Sequence, residues 1–107
     1  MSPDDPTITR PRVPGRLTGQ ARTAPILTVL VDAATAPRVR GLPADERLRL
    51  VARLDGVWVR IGGFTSSDRG RAILPAFRVD GPGLYLMRVP LGDDRYKYLK
   101  VRARINE

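Results

Sequence analysis

The chain has 107 residues, enough for one domain with a single modest core, and 42% of them are hydrophobic, which places it among globular rather than disordered chains. It contains neither Cys nor His, which excludes disulfides, thiolate ligands, histidine-based zinc sites and every nucleophilic triad that needs a Cys or His. The net charge is +8 and 17 of the 19 basic residues are Arg, which fits either a polyanionic partner or an arginine-rich solvated surface. With only two Glu and with Asp4, Asp5, Asp55, Asp93 and Asp94 in turn-like or terminal contexts, paired-carboxylate chemistry has little to work with. We therefore expect no enzyme and no cofactor.

Residues 1–15 carry Pro3, Pro6, Pro11 and Pro14. Each fixes its own φ and pushes its predecessor to extended backbone, so this stretch reads as a Pro-rich arm ahead of a domain over 16–107. Thr7, Ile8, Arg10, Arg12 and Val13 are its candidate docking residues, lying along a neighbouring chain. The acids and prolines of the N-terminus do not resemble a signal peptide, and no apolar run spans a membrane. That leads to an expectation of cytoplasmic synthesis and no membrane insertion.

"ILTVLV" (26–31) is aliphatic and β-branched, as in a buried strand. A long connection broken by Pro37, Gly41 and Pro43 follows. "RLRLVARL" (47–54) and "VWVRI" (57–61) both alternate, and Asp55-Gly56 joins them. Alternating runs around Asp-Gly predict a two-residue hairpin loop that pairs Leu54 with Val57, Ala52 with Val59 and Leu50 with Ile61. Pro-Ala-Asp-Glu before Arg47 gives a competing helix over Ala44–Leu54. "RAILPAFRV" (71–79), "LYLMRV" (84–89) and "YKYLKVRARI" (96–105) read as three more strands, separated by Gly81-Pro82-Gly83 and Gly92-Asp93-Asp94.

Six to seven short strands spaced by turns predict an antiparallel all-β sandwich or small barrel. The stretch 56–89 also resembles bacterial immunoglobulin-like and carboxypeptidase-regulatory (transthyretin-like) sandwich domains. In those a Trp strand leads to a Thr-x-x-Asp-x-x-Gly turn, then a Leu-Pro strand end and Pro-Gly-x-Tyr-x-x-Arg. The matching positions here are Trp58, Thr65, Asp68, Leu74, Pro75, Pro82, Gly83, Tyr85 and Arg88, with Gly70 one residue short of the pattern's spacing after Asp68. The resemblance implies an immunoglobulin-like or transthyretin-like sandwich and leaves function open, because such domains serve as scaffolds and binding modules.

"SSDRGR" (66–71) admits two readings. It is a turn between strands, with Asp68 accepting backbone N–H groups and Gly70 supplying the turn geometry, or an anion cradle of Ser66, Ser67, Arg69 and Arg71. The turn is preferred, since no helix follows to complete a cradle. "GDDR" at 92–95 is a hairpin loop rather than a calcium site, for want of a third acidic ligand. Tyr85 is expected to lock the fold through its hydroxyl.

The hairpin sets Trp58, Arg53 and Arg60 on one face, opposite Val57, Val59 and Ile61. If the last strand joins that sheet, Tyr98, Lys100, Arg102 and Arg104 extend the surface. The expected function is a non-catalytic structural or adhesion subunit docking onto a larger protein assembly, of the kind found in a phage virion, tail or injection particle. The alternatives are a carbohydrate- or protein-binding accessory module of a secreted protein, and a nucleic-acid binder using the basic sheet face.

Overall fold

The computed structural model describes residues 7–8, 19–54 and 56–105. Its elements in chain order are β1 (Thr7–Ile8), α1 (Gly19–Thr23), β2 (Ile26–Leu30), β3 (Arg38–Val39), β4 (Arg47–Leu54), β5 (Val57–Thr65), β6 (Ala72–Ile73), β7 (Arg78–Val79), β8 (Gly83–Gly92) and β9 (Arg95–Arg104). The fold is all-β. Five strands form one sheet in the order β2-β9-β8-β4-β5, and two short pairs, β1-β7 and β3-β6, form the rest.

The alternation on either side of residues 55–56 places β4 against β5 in the expected hairpin, with Asp55 itself outside the described residues. Leu54 faces Val57, Arg53 faces Trp58 and Ala52 faces Val59. Gly56 holds φ at +81°, the left-handed geometry that such a turn requires. The register then slips: Val51 pairs with Arg60 but Leu50 pairs with Gly62, which leaves Ile61 as a bulge instead of Leu50's partner. Residues 47–54 form a strand, so the helix over Ala44–Leu54 does not form. The β8–β9 hairpin turns through Asp93 and Asp94, both at positive φ (51° and 58°), which a short polar side chain tolerates.

Two features depart from an all-antiparallel sheet. β2 runs parallel to β9, Ile26 opposite Lys100 through Leu30 opposite Arg104, and β1 runs parallel to β7. Residues 71–79, expected as one strand, split into β6 and β7 around Leu74-Pro75, where proline cannot donate to a ladder.

One face of the large sheet, the inner face, carries Val29, Leu50, Ala52, Tyr85, Met87, Val89, Leu99, Val101 and Ala103. Leu42, Leu74, Phe77 and Val79, from the loops and short pairs, pack onto it and close the core. The cover stops short of the β5 edge. Val57 and Val59 are 58% and 38% exposed, and Val57 does not share the interior with Leu50 as the alternation suggested.

The loops of this cover are tied down by hydroxyls. Ser66 is buried; its Oγ accepts from Glu46 N at 2.9 Å and donates to the Pro43 carbonyl at 2.5 Å. Ser67 Oγ accepts from Arg69 N at 3.2 Å and Arg71 N at 3.1 Å, so Ser67 takes the capping role expected of Asp68. "SSDRGR" is thus a turn stitched to the 42–46 loop, and its hydroxyls are spent on the chain itself.

Tyr85 locks the start of β8. Its buried hydroxyl donates to the Gly81 carbonyl at 2.6 Å. Burial pushes its pKa above the ordinary 10.0, and the nearby Asp80 carboxylate pushes the same way. A tyrosine whose folded pKa exceeds its unfolded one contributes full stability below pH 10.0 and loses it as pH rises toward the folded value. Tyr85→Phe should therefore cost about 1 kcal/mol at neutral pH and flatten the alkaline decline, as read by urea unfolding at neutral pH and above 10.0.

Candidate functional site

The opposite, outer face of the large sheet concentrates positive charge. All eleven acidic residues of the chain lie outside its five strands. Alternation along β4 and β9 sends Arg47, Arg49, Arg53, Lys100, Arg102 and Arg104 to this face, opposite the buried Leu50, Ala52, Leu99, Val101 and Ala103. Val51 and Leu86 form a buried aliphatic floor beneath them.

Register assembles the centre of the face. Arg60 on β5 lies beside Val51 on β4, which pairs with Arg88 on β8, which pairs with Tyr98 on β9. The Arg88 guanidinium then inserts between two rings. Its central carbon lies 3.9 Å from the Trp58 ring centroid and 3.8 Å from that of Tyr96. Arg88 also donates through Nη1 to the Tyr98 hydroxyl at 3.3 Å, and Tyr98 sits tilted against Tyr96 at 6.0 Å between centroids. Arg53 adds a second cation to Trp58 at 5.4 Å.

Two aromatic faces around one delocalised cation is a strong arrangement for a partly desolvated group, each contact contributing about 0.5–2 kcal/mol. One cost is visible. Arg88 Nε is buried and has no hydrogen-bond partner among the described residues. The stack gains in definition what it loses there: a guanidinium gripped on both faces has given up its rotamer freedom before any partner arrives.

The sequence-derived surface residues fall as follows. Trp58, Arg53 and Tyr98 gather around Arg88, whereas Arg60 shares the face from across Val51, with its guanidinium beside Gly63. Arg102 and Arg104 are exposed on the same face but run to its far end, against Leu84 and Leu30. Lys100 is withdrawn: it is buried, and its Nζ donates to the Arg22 carbonyl at the end of α1, 2.6 Å away. Its ammonium serves the fold rather than the surface. Of the arm residues, Thr7 and Ile8 pair through their backbone with Arg78 and Val79 of the same chain. Arg10, Arg12 and Val13 lie outside the described residues.

Arg88 and Tyr96, the centre of the site, lie outside the face that the sequence predicts, as do Arg47 and Arg49. The alternation of β8 does place Arg88 opposite Met87 and Val89 in facing, but only knowledge that β8 lies beside β4 brings it to Trp58.

No family model, no curated protein and no solved structure matches this chain.

Proposed function

We propose that the protein is a non-catalytic docking subunit, built on an immunoglobulin-like or transthyretin-like sandwich, that attaches to an acidic surface of a larger protein assembly through the outer face of its large sheet. Two features support the immunoglobulin-like form. The consecutive antiparallel neighbours β4, β8 and β9 follow the C-F-G order of that fold, with β5 in the place of an added C′ strand. Tyr85, near the start of β8 and bonded to a carbonyl four residues upstream, fits its tyrosine corner.

The docking function rests on one observation, the Arg88 guanidinium held between Trp58 and Tyr96 on a sheet whose strands contain no acid. Trp, Tyr and Arg are the residues that dominate protein-interface energetics, and a pre-held arginine loses little entropy on binding a carboxylate. Nucleic acid and glycan are disfavoured by the same contacts. Trp58 is engaged by Arg88 and Arg53, and Tyr96 by Arg88 and Tyr98, so the rings are committed to neighbours instead of open to a stacked base or sugar.

The test compares the untagged chain with an Arg53→Glu/Arg60→Glu variant, both expressed in the native host and chemically cross-linked. Wild type should yield nuclease-resistant cross-links from the outer face to acidic segments of one protein partner, and the variant should lose them while keeping its circular dichroism. Cross-links unchanged in the variant, or complexes that vanish on nuclease treatment, would overturn the reading.

A further inference from the structure

A second cationic cluster lies on the cover layer, and it depends on neither the outer face nor the docking function. β3 and β6 pair antiparallel, Arg38 opposite Ile73 and Val39 opposite Ala72. Arg40 and Arg71 lie directly beyond the last paired residues, at the same end of this ladder. Val39 and Ala72 pack against the core, while Arg38, Arg40, Arg71 and Ile73 are exposed. These six residues line a depression of about 590 Å³. A neighbouring one of about 390 Å³ shares Arg38, Val39 and Arg40 and adds Lys97 and the apolar Ile26 and Leu27. Among the described residues no acidic side chain lines either.

Like charges gathered at the end of a two-stranded ladder repel, and among the described residues nothing in the lining neutralises them. An anion seated between Arg40 and Arg71 removes that repulsion. A phosphate suits the place better than a single carboxylate, since its oxygens can accept from three guanidinium forks at once. The exposed Ile73 beside them, 58% accessible, offers an apolar contact that a bare ion does not use. We propose that the β3–β6 depression binds a small organic phosphate, its phosphate held by Arg38, Arg40 and Arg71 and its apolar part laid against Ile73.

The experiment titrates the full-length ¹⁵N-labelled chain with phenyl phosphate, with inorganic phosphate and with benzyl alcohol. Phenyl phosphate should saturably shift the amides of 38–40 and 71–73, with affinity roughly tenfold above inorganic phosphate. The Trp58 indole N–H, which reports on the docking face, should stay in place, so failure here and failure of the docking proposal are separately visible. Arg40→Gln and Arg71→Gln should each lose the phenyl phosphate response and, with the like-charge pair removed, melt at higher temperature in phosphate-free buffer. Four outcomes would overturn the site: shifts that never saturate, shifts equally large at the Trp58 indole, benzyl alcohol as effective as phenyl phosphate, or variants that bind like wild type.

Discussion

Replacing Gly70 with alanine is expected to destabilise the protein by about 4 kcal/mol, a large share of the stability of a domain this size. The backbone at Gly70 sits at φ +72°, where a Cβ is strained. Strain is the smaller part. A Cβ built there falls 2.2 Å from the Leu42 carbonyl oxygen and 3.2 Å from its carbonyl carbon, and these are backbone atoms that cannot rotate away. Leu42 N also donates to the Gly70 carbonyl at 3.0 Å, and the Leu42 side chain is part of the core. Relieving the clash therefore means parting the 42–46 loop from the 66–71 turn, opening one end of the cover layer. Gly56→Ala supplies the control. Its φ is +81° and its Cβ would meet nothing within 4 Å, so only the strain remains, about 1 kcal/mol. Urea unfolding of the two variants measures the difference. Equal losses would mean that the close approach at Gly70 is not what holds the two loops together.

The contrast between these glycines also marks what a sequence can reveal. Gly56 was legible because a tight hairpin is local: Asp-Gly, with apolar residues alternating on both sides, fixes strand, turn and register together. The Arg53–Trp58 pair followed from it directly. The register failed first at Ile61, because a bulge depends on what the edge strand meets beyond the hairpin; Gly62 lies close against Pro75. Gly70 was legible as a turn residue, but its contact with Leu42 is tertiary and invisible in the spacing of residues. The parallel pairing of β2 with β9 joins opposite ends of the domain, and no local pattern announces it. The same limit hid the centre of the candidate site. Trp58 and its arginines belong to one hairpin, whereas Arg88 and Tyr96 belong to another, and only the strand order β8-β4 brings the hairpins together. Lys100 illustrates the converse: its parity was right, and α1, too short to leave a periodic signal, took its charge.

Substitutions at Arg88 should separate holding the fold from docking. Arg88→Ala removes the group that fills the space between Trp58 and Tyr96, losing two cation–π contacts and leaving a gap, for a cost of about 3 kcal/mol. Trp58 is the sole tryptophan, so its fluorescence reports on the vacated stack without interference and should shift to the red as water reaches the indole. Arg88→Met is a different matter. Methionine keeps the length of the stem, its sulfur packs favourably between rings, and the unpartnered buried Nε disappears. The gain from removing a desolvated donor opposes the loss of the cation, so stability should stay within about 1 kcal/mol of wild type. Docking should nevertheless fail in both variants, because a thioether offers no donors to a partner carboxylate. Retention of docking by Arg88→Met would mean that the partner does not read this charge, and the docking proposal would fall with it. A methionine variant as unstable as the alanine one would instead show that the cation itself, held by both rings, carries the stability of the outer face.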